Sequence, residues 1–235
     1  MFEISHQDAG EFVTIGLPKD LAVNKLQLIY DENDVKEINL PKIKKVVISF
    51  KKSMQTPIPD TELGYFKGIP DCKVVFDVGA RTDDEYIKLK PDIELHAFEP
   101  NPDFFKELKD KIGDRSNTYL NNFGLGDIGG IFKYNDGWQA FVGGENGGVI
   151  DGEREFEVKT LDWYVGETGI TQIDFLKIDT EGYDLKVLKG AYHTIKMCRY
   201  IQYEHWNDRF RFHELLEDTF DMTYIGGRNV FCKRR

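Results

Sequence analysis

The chain is short of positive charge and of long apolar runs. Its 235 residues include 31 Lys and Arg against 41 Asp and Glu, which gives a formal net charge of −10. Nucleic-acid backbones are bound through basic surfaces, so this balance argues against a nonspecific nucleic-acid partner. No run approaches the roughly 20 apolar residues of a membrane-spanning helix. We therefore expect neither nucleic acid nor membrane as a partner.

Paired cysteines and a secretory signal are also lacking. Cys72, Cys198 and Cys232 form no CxxC pair and lie in or beside apolar stretches. This pattern predicts buried free thiols rather than a disulfide framework or a zinc site. The first ten residues do not combine a basic segment with an apolar core. We expect a cytoplasmic protein, for which a homo-oligomer stays open.

What is present divides the chain into two regions. Residues 1–71 contain short β-type runs at 25–30, 35–40 and 45–50, which predict an antiparallel meander in a β-rich N-terminal extension. Residues 64–70 are rich in glycine and proline and predict a linker. Residues 72–235 form the second region, in which strand and helix patterns alternate.

The alternation in the second region predicts an α/β fold, a mostly parallel sheet with helices on both faces. We expect strands at 73–78, 94–99, 118–123, 173–178 and 200–203, helices at 83–89, from 102 onward, at 183–197 and around 212–216, and a terminal hairpin from 222–225 and 229–232. The glycine-rich segment 143–148 is either a plain loop or an active-site lid.

Ligands of such sheets bind at the carboxyl ends of the strands. Gly79 follows the first strand and permits a close backbone approach. Glu99 ends the next strand about twenty residues later, where an acid can accept two hydrogen bonds from a ribose diol. The alternative for Glu99 is an acid at a helix start. Asp77 is either a turn acid or a partner for a cationic amino group.

Four blocks in this region together resemble the FkbM-type S-adenosylmethionine-dependent methyltransferases. They read FDVGA at 76–80, AFEPNP at 97–102, NFGLGD at 122–127, and LKIDTEGY at 176–183 followed by VLKGA at 187–191. The last block is the most specific. The resemblance implies a Rossmann-like methyltransferase fold with a reversed last strand and S-adenosylmethionine as cofactor. It also implies an O-methyltransferase acting on a hydroxyl of a sugar, a glycan or another polyhydroxyl small molecule.

The cofactor site implied by the resemblance and by the strand ends draws on the ends of four predicted strands. Asn122 and Phe123 would border the adenine by hydrogen bonding and stacking, with core packing as the alternative for Phe123. The full expected set is Asp77, Gly79, Ala80, Arg81, Glu99, Pro100, Asn101, Asn122, Phe123, Gly124 and Asp179.

Methyl transfer to a hydroxyl requires alignment and the removal of a proton. The expected catalytic residues lie at the ends of the last two parallel strands: Asp179, Glu204, His205 and Lys177. A lysine within an apolar strand must pair with a carboxylate, so Lys177 is either structural or catalytic. Asp179, Glu181 and Glu204 are also candidate ligands for a divalent cation such as Mg²⁺.

The cofactor turn departs from the family pattern at two positions. Arg81 and Asp83 stand where that pattern has asparagine and glycine. Arg81 could cover the cofactor carboxylate, and Thr82 or Asp83 could cap the following helix. An acid near a helix start, however, opposes an anionic ligand. The alternative hypothesis is therefore a non-catalytic binding module with a degraded cofactor turn. A dehydrogenase is disfavoured because the third glycine of a dinucleotide fingerprint is missing.

Overall fold

The computed structural model describes the second region of the chain most fully. It covers residues 4–6, 12–16, 23–31, 34–43, 45–49, 62–134, 154–205, 209–225 and 228–235. Two compact units comprise Met1–Ile58 and Pro59–Arg235. The glycine-rich segment 143–148 lies outside the described residues. None of the helices in the described ranges is long and apolar enough to cross a bilayer.

The described residues of the first unit form five strands. They are β1 (Ile4–His6), β2 (Phe12–Gly16), β3 (Val23–Asp31), β4 (Asp34–Ile43) and β5 (Lys45–Ser49). Strands β3 and β4 form an antiparallel pair, whereas β5 pairs with β2, which in turn pairs with β1. The expected meander is therefore wrong in one respect, because the third predicted strand returns to an earlier part of the chain.

The second unit alternates between helices and strands. In chain order they are α1 (Glu62–Lys67), β6 (Val74–Val78), α2 (Glu85–Leu89), β7 (Glu94–Phe98), α3 (Pro102–Ile112), β8 (Thr118–Asn121), β9 (Gly124–Leu125), β10 (Gly130–Tyr134), β11 (Arg154–Lys159), α4 (Leu161–Thr168), β12 (Ile173–Ile178), α5 (Asp184–Lys189), β13 (Cys198–Glu204), α6 (Arg209–Leu216), β14 (Phe220–Tyr224) and β15 (Asn229–Arg234). A short 3₁₀ helix spans Thr194–Met197.

Seven of these strands form one sheet in the order β14-β15-β13-β12-β6-β7-β8. Five neighbouring strands, from β13 to β8, are parallel, while β15 runs antiparallel to both β13 and β14. This is the order and reversed last strand of the Rossmann-like methyltransferase fold. The predicted fold class, including the terminal hairpin, is confirmed.

Local sequence explains why these elements form. All six residues of β12 are buried; four of them are apolar, as expected for a central parallel strand, and Asp174 and Lys177 are each paired with an oppositely charged side chain. Helix α3 begins where the Asn101 side chain accepts hydrogen bonds from the amides of Asp103 and Phe104, with Pro102 at its first position. The predicted start of this helix is therefore confirmed.

The sheet is covered on both faces by apolar clusters. One face packs Phe76, Leu176 and Ile178 with residues of α4, α5 and α6. The other face packs Val75 and Phe175 with residues of α1, α2 and α3. Helix α1 lies in the segment predicted as a linker. It is helical and packed because Phe66 is fully buried, 5.2 Å from the Phe175 ring.

Three further elements differ from the expectations. The helix predicted at 183–197 is α5 followed by a separate 3₁₀ turn. A Cβ at Gly190 would lie 1.9 Å from the carbonyl oxygen of Gly126, so the chain passes the Gly126 backbone closely there. Helix α4 was not predicted, although Thr160 caps it by accepting from the Trp163 amide. The small sheet of β9, β10 and β11 was also missed, because its strands are short and separated.

Candidate functional site: the carboxyl edge of the central sheet

The turn after β6 contacts the ends of both neighbouring strands, β7 and β12. Gly79 has a φ of 85°, and a Cβ there would lie 1.9 Å from the Asp179 carbonyl oxygen. The amides of Gly79 and Ala80 both donate to the Phe98 carbonyl, at 3.0 and 3.1 Å. Only a residue without a side chain allows the turn to pack this closely against the end of β12. Glycine is therefore required here for the packing of the fold, in addition to any close approach by a ligand.

Glu99 is buried at the end of β7 and bridges two strand ends. Its two carboxylate oxygens accept hydrogen bonds from the amides of Arg81 and Asn101, each at 2.8 Å. Burial raises the pKa of Glu99 to about 6, although these two amides act to lower it. The two amides occupy one acceptor position on each oxygen. A carboxylate oxygen has a further lone pair with which it can accept from a ligand hydroxyl.

A buried acid and a lysine face each other on β6 and β12. Asp77 and Lys177 are register partners in the parallel sheet. Burial raises the pKa of Asp77 to about 7; Lys177 opposes this rise, while Asp83, Asp179 and Glu99 add to it. Lys177 Nζ donates to Asp179 Oδ2 at 3.0 Å. The edge therefore gathers more negative than positive charge, an environment that suits a cationic ligand.

The two positions that depart from the family pattern are both accommodated in the turn. Arg81 has a φ of 49°, a left-handed conformation, and its guanidinium lies 5.0 Å from the Phe104 ring centroid. Asp83 Oδ1 accepts from the amide of Glu85 at 2.8 Å, at the start of α2. Asp83 thus satisfies a helix-end amide that would otherwise lack a partner.

Asn122, Phe123 and Gly124 follow β8. The Asn122 side-chain amide donates to the carbonyls of Glu99 and Pro100, so it holds the end of β7. Phe123 is half-buried and packs edge-on against Phe98, at 5.7 Å between centroids. Gly124 is buried, and a Cβ there would lie 3.2 Å from the Phe156 ring.

A cation and two aromatic rings lie beside Phe123, at a place that the sequence did not indicate. Lys159 Nζ is 4.6 Å from the Phe123 centroid and 4.1 Å from the Trp163 centroid. Tyr164 lies behind Phe123, and its hydroxyl is 2.8 Å from His96 Nδ1. Trp163 and Tyr164 belong to α4. Because this helix was not predicted, the aromatic wall that the two rings form beside Phe123 was not predicted either.

The residues expected to act on the acceptor are spread over two strand ends. Glu204 lies at the end of β13, with its carboxylate 4.0 Å from Arg228 Nη1. His205 is buried, its amide donates to the Arg228 carbonyl, and its ring is 6.3 Å from that of Tyr224. The structure thus places His205 inside the fold rather than on the surface.

The expected metal ligands are not brought together. Within the described ranges, no group of three or more His, Cys, Asp or Glu side chains could hold a metal ion. Asp179 instead pairs with Lys177, Glu181 is exposed at a φ of 54°, and Glu204 faces Arg228. Each carboxylate is therefore directed to a different environment.

Asp184 organises the loop after β12 and was not singled out in the sequence. It is 1% exposed, and its Oδ2 accepts from the amides of Thr180 and Gly182 and from the Thr180 hydroxyl. Its Oδ1 accepts from the Glu204 amide at 3.3 Å. Burial and Asp179 raise the pKa of Asp184 to about 6. The only available sequence signal was an acid just after a strand-end glycine.

A cavity of about 580 Å³ opens beside the cofactor turn. Its lining includes Arg81 and Asp83 from the turn, Tyr86 from α2, Leu63 from α1 and Lys177 from β12. It therefore joins the turn to one of the expected catalytic residues.

Comparisons with known proteins agree with this arrangement. The model of the "Methyltransferase FkbM domain" family matches residues 77–225. The 2-O-methyltransferase NoeI of Sinorhizobium fredii is 22% identical over 152 residues, which cover 56% of this chain and 63% of NoeI. The chain therefore spans less than two thirds of the curated relative it matches.

Two solved structures are more distant. Magnesium protoporphyrin IX methyltransferase from Synechocystis, solved with bound S-adenosylmethionine, has 10% identity and a TM-score of 0.41 over 70% of this chain and 71% of its own. Aeropyrum pernix fibrillarin, with natively bound S-adenosylmethionine, has 9% identity and a TM-score of 0.40 over 99% and 98% of the two chains. The fold assignment rests on the strand order above, and the family model covers more than half of the sequence. The chain belongs to the FkbM methyltransferase family.

Proposed function

We propose that the protein is an S-adenosylmethionine-dependent O-methyltransferase whose acceptor is a hydroxyl of a sugar or another polyhydroxyl small molecule. The observation that carries this proposal is the buried carboxylate of Glu99. Both its oxygens are fixed by backbone amides of the cofactor turn and of the α3 start. A ribose diol needs an acceptor pair of this kind held at a strand end.

The charges at this edge suit the proposed cofactor. S-adenosylmethionine carries a sulfonium and an ammonium group, and when bound it supplies the electrophilic methyl group. Glu99 and Asp179 lie close enough to Asp77 to raise its pKa, with Lys177 as the opposing charge. We assign the ribose to Glu99 and the cationic end to the neighbourhood of Asp77. Phe123 and Asn122 are the assigned border of the adenine.

Proton removal from the acceptor is assigned to the ends of β12 and β13. Asp179, held by Lys177, and the Glu204–His205 pair are the candidate bases. An imidazole or a carboxylate in hydrogen-bond reach of a hydroxyl can accept its proton during transfer. The hydroxyl class is supported by one relative, the 2-O-methyltransferase NoeI.

A calorimetric titration tests the cofactor assignment. We expect S-adenosylmethionine and S-adenosylhomocysteine to bind and NAD not to bind. Glu99→Gln should weaken binding by about tenfold to a hundredfold, because an amide loses one of the two acceptor oxygens. Glu107→Gln, at an exposed acid of α3 that pairs with Lys111, is the matched control and should leave affinity unchanged.

Absence of S-adenosylmethionine binding at millimolar ligand would contradict the proposal. The alternative, a non-catalytic binding module, is favoured by Asp83, whose charge adds to the rise in the pKa of Asp77. It predicts weak or absent binding of S-adenosylmethionine and no transfer of a labelled methyl group to a glycoside or polyol. The transfer assay is run with and without a chelator, since Asp179, Glu181 and Glu204 were candidate ligands for Mg²⁺.

A further inference from the structure

The carboxylate of Asp184 gathers the backbone of the loop after β12. Three of the groups that donate to it belong to residues 180–182, which we call the β12 loop. They are the Thr180 amide at 3.3 Å, the Thr180 hydroxyl at 3.0 Å and the Gly182 amide at 3.3 Å. A carboxylate that is 1% exposed needs such donors in place of its water. The loop is therefore folded around a single buried group.

A fourth donor anchors this carboxylate to the neighbouring strand. Asp184 Oδ1 accepts from the amide of Glu204, at the end of β13. The last register pair of β12 and β13 is Ile178 with Tyr203. Asp184 therefore joins the two strand ends beyond the point where the ladder between them stops, and the β12 loop is held in place relative to β13.

The conformation of the β12 loop is unfavourable without such support. Glu181 has a φ of 54° and Gly182 a φ of 98°, so two successive residues are left-handed. This backbone region is costly for a residue with a side chain. Asp184 accepts from the amides on both sides of Glu181, those of Thr180 and Gly182. Backbone strain that is held in this way concentrates at functional sites.

Thr180 lies between Asp184 and the cofactor turn. Its hydroxyl donates to Asp184, whereas its Cγ2 lies 3.4 Å from the place of a Cβ on Gly79. The same turn presents the Arg81 amide, which donates to Glu99 Oε2 at 2.8 Å. A chain of direct contacts therefore leads from Asp184 through Thr180 to the turn that holds the proposed ribose acceptor.

We propose that Asp184 is a positioning residue of the cofactor site, which holds Thr180 against the turn at Gly79 and so fixes that turn for S-adenosylmethionine. This inference rests on the proposed methyltransferase function. Asp184 does not contact the cofactor in this assignment and acts through Thr180. A residue that served the fold alone would change stability when substituted, but it would leave the affinity of the folded protein unchanged.

The first experiment compares two buried aspartates by calorimetry with S-adenosylhomocysteine. Asp184→Asn turns an amide group towards backbone donors, so we expect the affinity to fall by about tenfold. Asp174→Asn is the matched control, because Asp174 is also 1% exposed and also accepts from two backbone amides, but lies at the amino edge. It should keep the affinity within about twofold. Titrations are made well below each melting temperature, and equal affinities of Asp184→Asn and wild type overturn the proposal.

The second experiment tests the contact that transmits the effect. Thr180→Val removes the hydroxyl that donates to Asp184 but keeps the shape of the side chain, so the affinity should fall by about threefold to tenfold. Thr180→Ser keeps the hydroxyl and should restore the affinity to within about twofold of wild type. Thr194→Val is the control, since its buried hydroxyl donates to Asp162 at 2.7 Å, and it should have no effect. A loss in Thr180→Ser as large as in Thr180→Val means that the methyl contact positions the turn, and overturns the proposal.

The double variant separates one route from two. Because Asp184→Asn and Thr180→Val disturb the same hydrogen bond, the double variant should bind no more than about twofold more weakly than Asp184→Asn alone. Fully additive losses would mean independent routes and overturn the proposal. Failure of the wild-type protein to bind contradicts the proposed function and the cofactor role of Asp184 with it. Wild-type binding with unchanged affinities in both single variants overturns the inference about Asp184 alone.

Discussion

Asp174 and Asp77 lie at opposite edges of the same sheet and are equally inaccessible, at 1% and 3% exposure. Asp174 starts β12 at the amino edge and accepts hydrogen bonds from the amides of Lys73 and Val74 and from the side chains of Gln172 and Arg199. Burial alone would raise the pKa of Asp174, but these donors outweigh it and lower the pKa. Asp77 shows the reverse, with its pKa raised to about 7.

The difference shows that burial by itself does not determine how a carboxylate behaves. Asp174 is surrounded by donors and ties three strand starts together, so its charge is satisfied within the fold. Asp77 is compensated in the described structure by the charge of Lys177 and is opposed by Asp83, Asp179 and Glu99. Perturbed acids of this kind concentrate at functional sites, which supports placing the site at the carboxyl edge.

The largest expected loss of stability comes from substituting a glycine at the carboxyl edge, compared with one at the amino edge. Gly79→Ala places a Cβ 1.9 Å from the Asp179 carbonyl at a φ of 85°, so the turn and the end of β12 must separate. We expect the free energy of unfolding to fall by about 3 kcal/mol or more, with loss of S-adenosylhomocysteine binding. Chemical denaturation and calorimetry measure both.

Gly113→Ala is the control at the amino edge. Gly113 has a φ of 67°, but a Cβ there meets no described heavy atom within 4 Å. The Gly113 ψ of −166° lies in a region that glycine adopts almost exclusively, so the backbone conformation alone is penalised, at about 1–3 kcal/mol. Equal effects of the two substitutions would mean that the turn yields easily, against the close contact seen here.

The elements that sequence alone identified are those with strong local signals. The mainly apolar strand β12 and the Asn101–Pro102 helix start each specify their structure within a few residues. Glu99 was identified from its separation from Gly79 along the sequence, which requires no knowledge of the fold. Its second role, accepting from Arg81 and Asn101, depends on a turn geometry that spacing does not encode.

The site residues that the sequence did not reveal depend on contacts between segments that are distant along the chain. The aromatic wall of Trp163 and Tyr164 belongs to α4, whose eight residues contain a glycine and little helical periodicity. Asp184 matters because it reaches the Glu204 amide, 20 residues away.

The second prediction pairs substitutions of the two aspartates. The folded protein binds a proton at Asp77 up to a pH of about 7, whereas the ordinary pKa is 3.8. Stability from this group is therefore full below pH 4 and is lost as the pH rises to 7. Asp77→Asn, which cannot ionise, should remove this loss, on the order of 4 kcal/mol for a pKa that rises from 3.8 to about 7.

Asp174→Asn should act in the opposite direction. The lowered pKa of Asp174 gives stability that is present above the ordinary value of 3.8 and is lost as the pH falls through the folded pKa. The substitution should lower stability at neutral pH by about 2 kcal/mol, because Arg199 loses its charged partner. Denaturation curves from pH 2 to 8 measure both variants, because the loss at Asp174 lies below pH 3.8 and the loss at Asp77 lies above it. Parallel pH profiles for the two would contradict the contrast between the edges.

The smallest expected effect is on cofactor affinity. Glu99 has a pKa of about 6, raised by burial. Only its ionised form offers both oxygens to a ribose diol, so affinity for S-adenosylhomocysteine should be constant above pH 7. It should fall by about tenfold as the pH drops from 7 to 5, which is the proportion lost one pH unit below a single pKa. Glu99→Gln should show a flatter profile at a lower affinity. If wild type and Glu99→Gln changed equally with pH, the titrating group would be Asp77 rather than Glu99, and the ribose assignment would have to move from the end of β7 to the end of β6.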